Sequence, residues 1–298
     1  MIEEILALKK ERRAVILAHN YQIGSVQDVA DLVGDSLELS RAAARLDEDV
    51  IVFCGVDFMA ETAAILSPQK TVVLPEKGAW CPMAHMITPD QLRELKALCP
   101  DAAVVCYVNS TAEVKAESDI CCTSANGVQV VNSLDQDRVI FVPDRNLAAY
   151  VARYTKKQII PWNGYCYVHD HFTPGEVKAA RTLHPGAEVL VHPECRPEVI
   201  DQADFVYSTA GMGRHAKSSN AREFIIGTEV GMIYRLKKEN PEKEFYPLSN
   251  NAVCQNMKKT NLEKVLRALQ TLEPRVSVPE EIAARARKSI ERMLEVKA

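Results

Sequence analysis

The chain has 298 residues, 47% of them hydrophobic and 26% charged, with a formal net charge of −4. The length allows roughly two or three domains and the composition is that of a globular protein. The charge gives no reason to expect nucleic acid or an acidic membrane surface as partner, and no apolar run approaches the roughly 20 residues of a membrane span.

The opening MIEEILALKKERR reads as an amphipathic charged helix and not a signal peptide, so a cytoplasmic location is expected. Nine cysteines in such a chain should be mostly reduced, leaving them as small core residues or ligands. A strand-like run, AVILA, then leads into His19-Asn20-Tyr21. Asp31 follows His19 by 12 residues and Ser36 follows Asp31 by 5. A β-rich run, VIVFCGVD, ends on Asp57, and TVVLPEKGAWC ends on Cys81. Thr88 stands before a proline, which suits a first helical position.

The same order then recurs twice. AVVC leads into Tyr107-Val108-Asn109, with Asp119 and Ser124 at the same spacings, an acid at Asp144 and a cysteine at Cys166. EVLV leads into His192-Pro193-Glu194, with Asp204 and Thr209, an acid at Glu229 and a cysteine at Cys254. Thr173 and Thr260 stand where Thr88 stood, each with glutamate three residues on, so all three read as helix N-caps. Beyond Met257 the pattern predicts a capped helix (NLEKVLRALQTL), a short VSV strand and a helix opened by Pro279.

The repeat is 88 residues long from His19 to Tyr107 and 85 from Tyr107 to His192. Solenoid repeats are shorter, and a unit of this size can hold its own sheet. Apolar strand runs alternating with amphipathic helical stretches imply parallel strands with crossover helices. The expected fold is therefore α/β, with three homologous three-layer αβα domains at 1–85, 86–170 and 171–298, the last carrying a C-terminal helical extension. Ligands of open parallel sheets gather beyond the carboxyl ends of the strands, where all the repeated polar positions fall. Packed around a pseudo-threefold axis, the three edges would share one site.

Cys81, Cys166 and Cys254 recur in register. Cys54, Cys99, Cys106, Cys121, Cys122 and Cys195 do not, and read as core or surface residues. Three thiolates suit zinc or an iron–sulfur cluster, but zinc favours ligands in short-range pairs and no C-x-x-C occurs. One thiolate per domain suits a 4Fe–4S cluster better. Such clusters usually take four cysteines, so one iron would stay open as a Lewis acid. The triplets offer proton-transfer groups and hydrogen-bond donors. Ser36, Ser124 and Thr209 follow short strands, as helix N-caps or as an anion site. His169, close behind Cys166, reads as a substrate contact or a support for the ligand. His85, His171, His184 and His215 have no such support. An aconitase-type hydro-lyase, an iron–sulfur sensor or carrier and a zinc protein are the competing readings.

The motifs AHNYQ, GDS, GVDFMAET, YVNSTAE, TSAN, PDRNLA, VHPEC and GTEVGM closely resemble quinolinate synthase, in order and over nearly the whole chain. The resemblance implies three α/β domains around a pseudo-threefold axis and one 4Fe–4S cluster held by Cys81, Cys166 and Cys254. It implies condensation of iminoaspartate with dihydroxyacetone phosphate to quinolinate, with loss of phosphate and water, in de novo NAD synthesis. An aspartate oxidase or dehydrogenase would supply the iminoaspartate. His19, Ser36, Tyr107, Asn109, Ser124, His192, Glu194 and Thr209 would hold substrate, with Val108, Pro193 and His169 beside them. Tyr21 and Glu194 would be the main acid–base groups, assisted by His19 and His192. Some members carry C-x-x-C-x-x-C at the third ligand and form a regulatory disulfide. Here Cys254-Gln255-Asn256-Met257 lacks it.

Overall fold

The computed structural model describes residues 1–296. It holds three four-stranded parallel sheets. The first comprises β1 (Ala14–His19), β2 (Leu32–Gly34), β3 (Val50–Cys54) and β4 (Thr71–Val73), in the order β2-β1-β3-β4. The second comprises β5 (Ala103–Tyr107), β6 (Ile120–Cys122), β7 (Arg138–Val142) and β8 (Gln158–Pro161), in the order β6-β5-β7-β8. The third comprises β9 (Glu188–Val191), β10 (Phe205–Val206), β11 (Glu223–Gly227) and β12 (Glu244–Pro247), in the order β10-β9-β11-β12. Three copies of one strand order confirm the repeat and the α/β class.

Both faces of each sheet are covered, which is why the strands read as unbroken apolar runs. In the first sheet Val15, Leu17, Ile51 and Phe53 join one buried cluster, while Ile16, Ala18, Val50 and Val52 join another with Ile5, Val265 and Leu269. In the third, Val189, Val191 and Ile225 face one cluster and Leu190, Phe224 and Ile226 the other. The helix Leu262–Thr271 covers the first sheet. The helix Glu280–Glu295 packs on β6 and on the helix Ala112–Ala116, burying Ala286, Ile290 and Met293. Among the described residues no helix is long and apolar enough to cross a membrane.

Two repeated residues prove architectural. Asp31, Asp119 and Asp204 each accept the backbone N–H of a first-strand residue: Ile16 at 2.8 Å, Val104 at 2.7 Å and Val189 at 2.7 Å. Each thereby fixes the edge strand against its neighbour. Lys70, Lys157 and Lys243, one residue before the fourth strands, donate to carbonyls just past the helix that precedes the third strand, at Leu46, Leu134 and Ser219. A cation at those unpaired carbonyls complements the helix end.

The expected caps at Thr88 and Thr173 form, each as a full capping box, with Gln91 and Glu176. Thr260 does not cap. Asn261 accepts the Lys264 N–H instead, since the buried Thr260 closes the preceding 3-10 turn. The VSV segment is not a strand. It runs beside the first sheet, with a Val73–Arg275 bridge, the Val276 N–H donating to Val72 and the Leu74 N–H donating to Pro274.

Candidate active site

The carboxyl ends of the three sheets meet at a cavity of about 70 Å³. From the first sheet come His19, Tyr21, Ser36 and Cys81. From the second come Tyr107, Asn109, Ser124, Cys166 and His169, and from the third His192, Glu194, Thr209 and Cys254. Equivalent positions of three units thus line one cavity. Val108 and Pro193, expected among the substrate contacts, lie outside the lining. Each is the middle member of its triplet, buried in the turn after the strand behind the two neighbours that reach the cavity.

The triplet geometry sets two tautomers. His19 Nδ1 accepts the Tyr21 N–H at 3.2 Å, and His192 Nδ1 accepts the Glu194 N–H at 3.3 Å. That leaves Nε2–H as the donor of each ring. Burial holds both imidazoles neutral, with pKa values lowered to about 3 against the pull of Glu194. His192 Nδ1 also lies 3.4 Å from Glu194 Oε2. The carboxylate's shorter bond, 2.7 Å, is to His169 Nδ1, and that ring is its donor.

From this follows a chain of hydrogen bonds across the site. The Tyr21 hydroxyl is 2.6 Å from Thr228 Oγ1, which is 2.8 Å from His169 Nε2. With His169 Nδ1–H on Glu194, Nε2 accepts from Thr228, and Thr228 accepts from Tyr21. The His192 ring stacks on His169 at 4.5 Å. Burial, then the Glu194 charge, raise Tyr21 well above an ordinary phenol, so it stays a protonated donor. Burial opposes the Glu194 charge, but the hydrogen bonds from His169 and the Tyr107 hydroxyl favour it, and the carboxyl is held below its usual range. Glu194 Oε1 and Asn109 Oδ1 are buried with no protein partner.

The three hydroxyls are free of capping duty. Asp35 caps the helix that Ser36 opens, and Ser208 caps the one that Thr209 opens. Ser124 sits in the turn before the helix Gly127–Asn132, whose N-cap position is held by Asn126. Asn20 Nδ2 donates to Thr209 Oγ1 at 2.7 Å, tying the first unit to the third. Phe58, Met59, Met83, Val168 and Met257 form the apolar wall.

Cys81, Cys166 and Cys254 are partly exposed, unlike the other six cysteines, which are buried and outside the lining. Burial raises all three cavity thiols above the ordinary range. A second donor group, Cys166, His169 and Glu194, has its atoms within 4.8 Å of one another. Both ring nitrogens of His169 are already committed, to Glu194 and Thr228, so that group is a hydrogen-bonded unit and a poor metal site. The other histidines lie elsewhere: His85 bonds Asp57, His184 stacks on Tyr246 and His215 bonds Glu188.

Sequence reasoning missed Thr228 because it has no hydroxyl counterpart in register; Val56 and Pro143 hold its place before the repeated acid. It also missed Asn20 and Lys258, whose Nζ bonds the Tyr21 carbonyl. Neither residue type recurs at its repeat position.

Comparison with known proteins agrees with the motifs. The family model described as Quinolinate synthetase A protein matches residues 3–295. The chain is 63% identical over 292 residues to the quinolinate synthase of Methanoregula boonei, covering 98% of this chain and 97% of that one. It is 59% identical over 293 residues to that of Dehalococcoides mccartyi (98% and 97%), and 55% identical over 298 residues to that of Alkaliphilus metalliredigens (100% and 98%). With relatives of this identity matching end to end, the chain belongs to the quinolinate synthetase A protein family, a family of enzymes.

Proposed function

We propose that the protein condenses iminoaspartate with dihydroxyacetone phosphate to form quinolinate, releasing phosphate and water. The observation that carries this reading is the cavity itself: three thiols, one per sheet, face neutral donors and an ionised carboxylate. The units supporting it are residues 1–85, 86–170 and 171–298, and each range contains one sheet.

The donor set fits a 4Fe–4S cluster. Three soft thiols line the cavity with no fourth cysteine among the described lining residues. The other candidate donor group is used up in hydrogen bonds. Cys81, Cys166 and Cys254 would hold the cluster, which when bound supplies a Lewis-acidic open iron.

The chain's own residues would do the rest. His19 and His192 present neutral N–H donors to substrate carboxylates without adding charge. Ser36, Ser124 and Thr209 are placed for phosphate and carboxylate oxygens. Glu194 Oε1 and Asn109 Oδ1, lacking protein donors, would accept from substrate N–H or O–H groups. Glu194 would take a proton at Oε1, and Tyr21 would give one from its phenol once its hydroxyl turns from Thr228 to substrate, with His169 holding Glu194 in place. The apolar wall of Phe58, Met59 and Met257 keeps water from the reacting carbons. We place the reaction in the cytoplasm, in NAD synthesis, fed by an aspartate oxidase or dehydrogenase.

The test is product analysis with anaerobically purified protein given iminoaspartate and dihydroxyacetone phosphate. Quinolinate with stoichiometric phosphate is the expected result. Reversible hydration of a simple hydroxy acid, with no phosphate release, would replace this reading by the aconitase-type one.

A further inference from the structure

Each cavity cysteine has its backbone N–H bonded to a carboxylate at the end of the third strand of its own sheet. Cys81 donates to Asp57 at 2.9 Å, Cys166 to Asp144 at 3.2 Å and Cys254 to Glu229 at 3.1 Å. Each carboxylate also holds the start of the helix behind it, through Phe58, Leu147 and Gly231. A second bond closes every loop from the other side. The Asp57, Arg145 and Val230 N–H groups donate to Ala79, Gly164 and Ala252, each two residues before the cysteine.

Helix capping alone does not explain the acids. The residue is aspartate in two copies and glutamate in the third, and Val230 occupies the N-cap position there. What the three share beyond that contact with the helix start is the bond to the cysteine N–H. Their remaining partners differ. Asp57 bonds His85, Glu229 bonds Lys258, and among the described residues Asp144 has no basic side chain in contact. A common function therefore lies at the cysteine and not in a shared ion pair.

We propose that Asp57, Asp144 and Glu229 are positioning residues for the three cluster cysteines, each fixing its thiol toward the common cavity. The proposal rests on the cluster reading above. A bond from backbone N–H to a carboxyl oxygen is directional and short-ranged, so it restrains the loop before any metal arrives. Groups that orient metal ligands in this way usually change affinity about 10–100-fold when removed.

The experiment compares Asp57→Ala, Asp144→Ala and Glu229→Ala with Asp57→Asn, Asp144→Asn and Glu229→Gln. Iron and sulfide per chain, the rate of iron release to a chelator, and thermal unfolding of the iron-free proteins are measured for each. The alanine variants should release iron at least about tenfold faster than wild type. The amide variants, which keep an acceptor oxygen, should restore most of the difference. If Asp144→Ala fails to fold, Asp57→Ala decides, since its side chain is already 24% exposed. Alanine variants that hold iron like wild type would overturn the proposal, and so would amide variants that lose it as fast. A wild-type chain that binds no iron would instead remove the cluster reading.

Discussion

Tyr21 and Thr228 share a 2.6 Å hydrogen bond between the first and third units. It aligns a phenol donor of one unit with a histidine–carboxylate pair assembled from the other two. Thr228→Val should lower turnover by about 10²-fold, within the usual range for a disturbed acid–base group, while iron content stays at the wild-type value. Thr228→Ser should recover most of the loss. Steady-state kinetics with iron analysis checks both, and full activity in the valine variant would remove the chain from the mechanism.

Glu194 carries the only carboxylate among the cavity-lining side chains besides Asp35, and Asp35 is spent on capping. Glu194→Gln should keep the iron and cut turnover by about 10²–10⁴-fold. The effect belongs in kcat more than in KM, because the amide still fills the space and accepts a bond.

Replacing Cys81, Cys166 or Cys254 by alanine should leave a folded chain without bound iron. Cys99→Ala and Cys195→Ala should bind iron normally, since both thiols lie outside the cavity. Iron and sulfide counts beside circular dichroism spectra decide this. Iron retained in Cys254→Ala but lost in Cys195→Ala would show that the repeat register misassigns the third ligand.

His19 and His192 predict a pH dependence of stability. Both have pKa values of about 3 in the folded chain, below the unfolded value of 6.5. Below pH 6.5 the unfolded chain therefore binds more protons, and stability falls as pH drops toward 3. Each ring contributes up to about 1.4 kcal/mol per pH unit at full slope. Urea melts of the iron-free protein between pH 7.5 and about 5 should show this loss, and His19→Gln should make it shallower. An equal slope in the variant would count against the neutral-ring assignment.

Much of the fold was legible because the chain repeats its own punctuation. Apolar runs of strand length ending in polar triplets located the sheets, and the register of three cysteines located the cavity. The reading lost accuracy where the repeat is broken. Thr260 looked like its counterparts, yet the turn after Cys254 shifts the cap to Asn261. Thr228 and Lys258 act across unit boundaries, and no periodicity within a unit can signal a partner in another. The repeated aspartates were visible from spacing, but only the strand geometry shows that they bind backbone and not ligand.

The bonds from Asn20 to Thr209 and from Tyr21 to Thr228 join units that carry separate sheets. Each sheet can hold its strand order and still contain no part of the enzyme that works alone. Catalytic competence is then a readout of quaternary-like docking inside one polypeptide. A cut in an inter-unit connection that left all three sheets folded, but let them drift by an ångström, would erase the site without unfolding anything.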